Sequence, residues 1–375
     1  MALLERIELY RQLETKRGRP VVAYVTSPRP GAEGMMAGDA VAEFMAQLEA
    51  LPPGSTSLDL FLVSQGGDPT VAWRIVSLAR ARVDDFAVLV PQAAFSAATL
   101  VALGANEIVM HPHSNLGPVD PQIAGRRKSE GQDQQRPFSS EDLAAFLKFA
   151  REQVGLTDQR ELLEVFRMFC EEVGAVGIGI AARSSQLSVS MGEKLLRLHM
   201  KEEGASKPRS IAEALIKSFF HHGYPVNRKE AREIELPVAD SDDELERLIW
   251  AIWTDVERDL KVRQPFNPIT ELAGSPSGAA LFGPAPQVQI PANLPPQLAQ
   301  QVFQNIMQQV QVVPVPPVNF EIAHALMESP RLASRFASRG RILAARTPDL
   351  QVRYNVVQEQ GGWEDVSPPE RGTNR

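Results

Sequence analysis

Apolar positions along the chain change their period twice, and each change marks a different kind of element. Leu3, Leu4, Ile7, Tyr10 and Leu13 recur at three- and four-residue steps, which predicts an amphipathic helix over residues 2–16. The next apolar residues come in short unbroken runs rich in β-branched side chains. PVVAYVTSP, closed by Pro28 and Pro30, predicts a buried strand, RPGAEGMMAGD a loop, and DAVAEFMAQLEAL a helix with Asp39 as its N-cap. From about Ser139 to Lys261 the helical period returns, in SSEDLAAFLKFAREQ, TDQRELLEVFRMFCEEV, SVSMGEKLLRLHMKEE and DDELERLIWAIWTDVERDLK.

Between these regimes, two consecutive units share one plan. LDLFLV (58–63) predicts a strand, SQGGD a Gly-rich loop, and PTVAWRIVSLARAR a helix with Pro69 in its first turn. DFAVLVP (85–91) predicts the next strand, QAAF a loop and SAATLVALGA a helix, and NEIVM (106–110) adds a third strand. Strands alternating with helices at this spacing pair in parallel through right-handed crossovers, so the expected fold is α/β with a largely parallel sheet. Ligands of such sheets bind beyond the carboxyl ends of the strands, where Gly66, Gly67 and Ser96 fall.

Further on, AGRRKSEGQDQQRP (124–137) is polar and basic and reads as a loop. Residues 263–320 hold 11 of the 29 prolines together with the Gln-rich PQLAQQVFQNIMQQVQ, the composition of an extended tether around one short helix. Such a Pro/Gln-rich stretch is also a candidate docking peptide for a protein partner. Residues 321–375 predict a short helix, ASRFASRGRIL, and a strand, LQVRYNVVQ. The expected organisation is an N-terminal helix (1–20), a main domain (21–262) with a helical extension from about 139, a linker (263–320) and a C-terminal tail (321–375).

Composition narrows the function classes. At 375 residues, 43% hydrophobic and 23% charged, the chain can bury a sizeable core. A net charge of −7 argues against a general nucleic-acid binder, and the RRK of 126–128 has no interleaved aromatic residues. Cys170 is the single cysteine, so no intrachain disulfide can form. The N-terminus carries no apolar core of signal-peptide length, and AAFSAATLVALGA is too short to cross a bilayer. A cytoplasmic chain without a membrane span is expected.

Ser96 is the candidate for chemistry. At the first turn of a helix its hydroxyl lies near amides that lack intrahelical partners, where the macrodipole favours negative charge. Ala97 and Ala98 are small enough to let a substrate backbone approach. A developing oxyanion can bond the amide of Ala97 and that of Gly66 or Gly67 from the neighbouring loop; in acyl transfer such donors matter by about 3–4 kcal/mol each. The competing reading is structural, with Ser96 an N-cap and Gly66-Gly67 a plain turn.

A resemblance bears on that choice. LYRQLETKRGRPVVAYVTSPRP, LDLFLVSQGGDPTVAWRIV, VLVPQAAFSAATLVALGANEIVMHPHSNLGPVDPQI and HHGYPVNRKEAREIELPV occur in order over about residues 8–240. They resemble the serine dehydrogenase proteinase family, a branch of the Clp-protease/crotonase superfamily related to signal peptide peptidase A. The resemblance implies stacked βαβ units, Ser96 as nucleophile, Gly66, Gly67 and Ala97 at the oxyanion-hole amides, a peptide or protein substrate, and a homo-oligomer. Two departures stand out. Phe95-Ser96-Ala97-Ala98 replaces a small-Ser-Ala-Gly or Ser-Gly-Gly run, where Phe95 can crowd the pocket, and SQGG replaces Pro-Gly-Gly.

The base is left open. Lys148, set among Phe146, Leu147 and Phe149, is one candidate: burial there would favour a neutral amine able to take the serine proton, giving a Ser–Lys dyad as in signal peptide peptidase A. The alternative is His113, which with His111 forms an HxH pair that lacks the carboxylates or cysteines of a metal site. Asp120 is a candidate to orient a base, and His221 and His222 precede a predicted turn. No G-x-G-x-x-G follows a strand, so no dinucleotide cofactor is expected, and without a carboxylate or Cys cluster no metal is expected either. The leading function is a serine hydrolase, most specifically a peptidase. The alternatives are a catalytically degenerate scaffold of the same fold and a crotonase-type acyl-CoA enzyme.

Overall fold

The computed structural model describes residues 3–119, 123–129, 132–138, 140–200, 206–217, 223–283, 295–309, 313–347 and 351–368. The first helix is α1 (Leu3–Arg17), followed by strand β1 (Val21–Thr26) and helix α2 (Ala40–Glu49). The two repeated units follow as β2 (Ser57–Val63), α3 (Pro69–Arg82), β3 (Asp85–Val90) and α4 (Ala97–Leu103), with β4 (Glu107–Met110) after them. These four strands pair in parallel in the order β1-β2-β3-β4, as the β–loop–α spacing predicts.

Every residue of β1 is buried, because helices cover both faces of the sheet. Alternation then sorts the side chains. Val22, Tyr24, Leu58, Leu60 and Leu62 face one core with α2, α3 and α4, whereas Val21, Ala23, Val25, Phe61 and Val63 face another with α1.

Residues 123–138, expected as a loop, form a hairpin instead: β5 (Ile123–Ser129) and β6 (Gln132–Phe138) pair antiparallel from Ile123↔Phe138 to Ser129↔Gln132. The run has no apolar alternation, so the pairing rests on backbone hydrogen bonds that hydropathy does not report. The helical region is present as α5 (Ser140–Glu152), α6 (Gln159–Val173), α7 (Ala175–Leu196), α8 (Lys207–Lys217), α9 (Arg228–Glu233) and α10 (Asp243–Asp259). Helices α7 and α8 pack on the core of α2–α4, and α10 packs with α1 on the opposite face. None of these or the later described helices is long and apolar enough to cross a membrane.

Residues 268–282, expected as part of an extended tether, hold two short helices, α11 (Pro268–Gly274) and α12 (Pro276–Ala279), and bury Leu272 and Leu281. The single helix expected in the Gln-rich run is α13 (Pro296–Gln309). Residues 284–294 and 310–312 of this Pro/Gln-rich stretch lie outside the described residues.

The C-terminal residues extend the sheet. Strands β7 (Val318–Glu328), β8 (Ala333–Arg346), β9 (Val352–Gln358) and β10 (Gly362–Asp365) are antiparallel, with β7 against β1 and both β9 and β10 against β8. The expected helix ASRFASRGRIL is therefore strand β8. Gly340, Ile342 and Ala344 are buried while Arg339, Arg341 and Leu343 are exposed, a period of two that its neighbouring strands fix. A Cβ at Gly340 would sit 2.4 Å from the Phe320 ring, which crosses the strand at that point.

Arg6 ties the two ends of the chain together. Its guanidinium is 1% exposed and donates from Nε and Nη2 to the two carboxylate oxygens of Glu328 on β7, both at 2.7 Å. Nη1 donates to Asp255 at 2.7 Å and Nη2 to Asp259 at 2.9 Å, both on α10. Tyr10 donates to Glu328 at 3.0 Å, and Arg335 on β8 donates to Asp259 at 2.7 Å. Arg6→Met leaves these carboxylates without their shared cation. It should lower unfolding stability by about 3–5 kcal/mol, the cost of breaking a buried pair by removing one partner, read from the denaturant midpoint.

Candidate active site

The two Gly-rich and Ala-rich loops at the carboxyl ends of β2 and β3 are laced to each other by main-chain bonds. Ser64 N–H donates to the Ala93 carbonyl at 3.0 Å, and Phe95 N–H donates to the Ser64 carbonyl at 2.9 Å. Ser64 Oγ accepts from Thr26 Oγ1 at 2.8 Å and from Gly66 N–H at 3.0 Å. Thr99 on α4 points its hydroxyl back between the Ala94 and Gly117 carbonyls, at 2.7 and 2.8 Å. Sequence reasoning missed Ser64 and Thr99; a lone threonine in an otherwise Ala/Val/Leu helix was the available signal.

The loops meet at Ser96. A Cβ on Gly66 would lie 2.7 Å from the Phe95 carbonyl oxygen, 2.7 Å from Ser96 Cβ and 3.1 Å from Ala97 N, so only glycine permits this approach. Gly66 and Gly67 have φ of 103° and 150°. On the other side of the loop, Met36 N–H donates to the Gly66 carbonyl at 2.8 Å and Asp68 N–H donates to the Met36 carbonyl at 2.9 Å. Asp68 also caps α3 through Thr70 N–H at 2.8 Å.

Ser96 has φ 53° and ψ −117°, a conformation that costs a non-glycine residue on the order of 1–3 kcal/mol. It stands at the N-cap position of α4 yet makes no side-chain capping bond. The simple capping role therefore does not account for this serine. Half-buried, its hydroxyl has no hydrogen-bond partner among the described residues. Nor do the amides of Gly67 and Ala97 among the described residues, whereas the Gly66 amide is held by Ser64. Of the three amides expected at the oxyanion hole, two are thus free to donate. The Phe95 ring packs on Gly117, where an added Cβ would come within 2.6 Å of it.

The base candidates are placed apart from this cluster in their contacts. Lys148 on α5 was expected to be buried, but its side chain is 70% exposed and pairs with Glu152 at 3.9 Å. Its apolar neighbours in sequence, Phe146 and Phe149, are exposed as well, so α5 offers no local burial to the amine. His113 is exposed and meets the rings of His111 and Trp250 edge-on, at 4.8 and 5.0 Å. His111 stacks on Trp250 at 4.8 Å and its Nδ1 accepts from His113 N–H at 3.1 Å. Burial, with His113 adding to it, holds the His111 pKa below its ordinary value. Among the described residues no group of three or more His, Cys, Asp or Glu could hold a metal ion. Asp120, His221 and His222 lie outside the described residues.

Comparison with known proteins agrees with the resemblance read from the sequence. Residues 2–129 match the family described as ClpP-like SDH-type serine proteinases. Two uncharacterized proteins of Methanocaldococcus jannaschii are 25% and 23% identical over 242 and 243 residues, 63% of this chain and 73% and 72% of their own lengths. Among solved structures, the 1510-N membrane-bound stomatin-specific protease aligns at TM-score 0.35 and 15% identity, over 61% of this chain and 84% of its own. ClpP1 from Listeria monocytogenes aligns at TM-score 0.32 and 12% identity, over 63% of this chain and 97% of its own.

Two outcomes follow from the geometry. Gly66→Ala should force the Ser96 backbone out of place and cost about 1–3 kcal/mol of stability by overpacking, seen as a lowered Tm. The His111 ring, with its lowered folded pKa, takes up its proton after the unfolded chain does as pH falls. Its contribution to stability is therefore present above the ordinary value of 6.5 and is lost as pH drops below it. His111→Gln should flatten that part of the stability–pH curve, measured by denaturant unfolding at a series of pH values.

Proposed function

We propose that this chain, whose residues 2–129 match the ClpP-like SDH-type serine proteinases, is a serine peptidase that forms an acyl-enzyme at Ser96. The observation that carries this reading is the uncapped, positive-φ Ser96 lying against Gly66 and beside the free amides of Gly67 and Ala97. Ser96 Oγ attacks the scissile carbonyl carbon while its proton passes to a base. The carbonyl oxygen, now negative, accepts hydrogen bonds from the Gly67 and Ala97 amides in place of water. The C–N bond then breaks as the base protonates the leaving amine. Water hydrolyses the Ser96 ester by the same path, releasing a carboxylate and restoring the hydroxyl.

For the base, the reading favours Lys148 over His113. Helix α5, which carries Lys148, and the two helices after it expose apolar side chains: Phe149 at 54%, Leu163 at 67%, Met168 at 60% and Val176 at 75% exposed. A surface of that kind is suited to a second copy of the chain. Its burial in a homo-oligomer would desolvate Lys148 and favour the neutral amine a base requires. His113, by contrast, is engaged with the His111 and Trp250 rings. The same reading takes the substrate to be a peptide or protein and the site of action to be the cytoplasm.

The test is covalent labelling with a fluorophosphonate probe, alongside the oligomeric state from light scattering. Labelling of the native chain is expected to disappear in Ser96→Ala, to fall by about 10²-fold or more in Lys148→Ala, the scale of a lost general base, and to persist in His113→Ala. Leu163→Glu should both dissociate the oligomer and reduce labelling. A correctly folded native chain that takes no label would overturn the peptidase reading in favour of a scaffold protein.

A further inference from the structure

A cavity opens beside the Met35–Ala37 strip. It encloses about 340 Å³ between the loop before α2 and the antiparallel half of the sheet, and Tyr24, Glu33, Asp39, His324, Phe336 and Trp363 line it. Tyr24 stands at its inner wall, 1% exposed, and its hydroxyl has no hydrogen-bond partner among the described residues. A buried hydroxyl left in that state loses its bonds to water without replacement. Burial, and then the Asp39 carboxylate on the same cavity lining, raise the pKa of the phenol.

The remaining walls are fixed. Trp363 Nε1 donates to Asp39 at 3.0 Å, and Phe336 packs edge-on to Trp363 at 5.7 Å and to His324 at 6.0 Å. His324 Nδ1 donates to the Glu33 carbonyl at 3.1 Å, and its Nε2 is 2.7 Å from Ser338 Oγ. Glu33 keeps one carboxylate oxygen on Gly31 N–H at 3.0 Å. The cavity thus has two carboxylates at its exposed mouth, three aromatic rings along its wall and one unsatisfied hydroxyl at its base. No lysine or arginine is among its lining residues.

We propose that this cavity binds an alkyl-guanidinium or alkyl-ammonium group. The charged head donates to the Asp39 carboxylate and to the Tyr24 hydroxyl, and the aliphatic stem lies against Phe336 and Trp363, where the ring faces also attract the cation. The strip Met35–Ala37 that edges the cavity is the same strip whose Met36 bonds the Gly66–Gly67 loop. The group has two sources: the basic side chain of a peptide, or a free small organic cation. The proposal does not require Ser96 to be catalytic.

The experiment is calorimetric titration of the full chain carrying Ser96→Ala, so that no peptide is turned over. The probes are n-butylguanidinium and its neutral isostere n-butylurea, then a blocked Ala-Ala-Arg-Ala-Ala peptide and its citrulline counterpart. Butylguanidinium is expected to bind about tenfold or more tightly than butylurea, and Asp39→Asn to weaken it by about tenfold. Tyr24→Phe should weaken it too, while leaving Tm unchanged or raised, because the substitution removes an unpaired buried hydroxyl. A peptide that binds more tightly than butylguanidinium, and loses that advantage with citrulline, identifies a peptide side chain as the source. A peptide that binds no better identifies a free cation. No binding of either cation, equal binding of butylurea, or binding untouched by both variants overturns the site. Since every arm uses the Ser96→Ala chain, the result stands apart from whether Ser96 forms an acyl-enzyme.

Discussion

The buried guanidinium of Arg6 is the contact on which the arrangement of the sheet depends. It lies where α1, α10 and β7 converge, and β7 is the strand that joins the antiparallel half of the sheet to β1. Taking one cation and three carboxylates out of water is costly, and an apolar cluster of the same volume can be the more stable arrangement. What the ionic cluster adds is direction. A guanidinium has five donors in a fixed plane, and those of Arg6 are matched to Glu328, Asp255 and Asp259 in a way that an apolar contact could not enforce. Residues separated by 322 positions are thereby set in one register.

From that frame the site follows by close backbone approach. The parallel strands deliver two loops to the same edge, and the loops are bonded to each other through Ser64, Ala93 and Phe95. The lacing leaves no room for a side chain at Gly66 and holds Ser96 at a backbone angle it would not adopt alone. Strain of this kind persists only where neighbours over-determine it. Here those neighbours include Thr99, which binds two carbonyls behind the serine, and Gly117, which receives the Phe95 ring. Ala98, two residues after the serine, is fully buried within the core.

The helical region stands in contrast. Helix α6 buries none of its residues, although its apolar side chains repeat at helical spacing. Lys148 is exposed there between the exposed rings of Phe146 and Phe149 and pairs only with Glu152 among the described residues. The cavity of Tyr24 and Asp39 is the opposite case, enclosed by strands from both ends of the chain and complete within one copy.

The sequence by itself determined the parallel half of the fold. Unbroken runs such as VVAYVT and LDLFLV can only be strands covered on both sides, and the Gly66-Gly67 and Ser96 loops had to fall at their carboxyl ends. It also carried the nucleophile candidate, but beside an equally ordinary N-cap reading that only the absence of a capping bond in the fold removes. Tertiary structure decided the rest. ASRFASRGRIL satisfies a helical and a strand period alike, and only its pairing with β7 and β9 selects the strand. The polar hairpin of residues 123–138 is held by main-chain pairing, which leaves no mark in hydropathy. Whether a lysine among phenylalanines is buried depends on what packs against them, and a local pattern holds no record of that partner. The same holds for the unpaired hydroxyl of Tyr24, whose surroundings come from residues some 300 positions away in the chain.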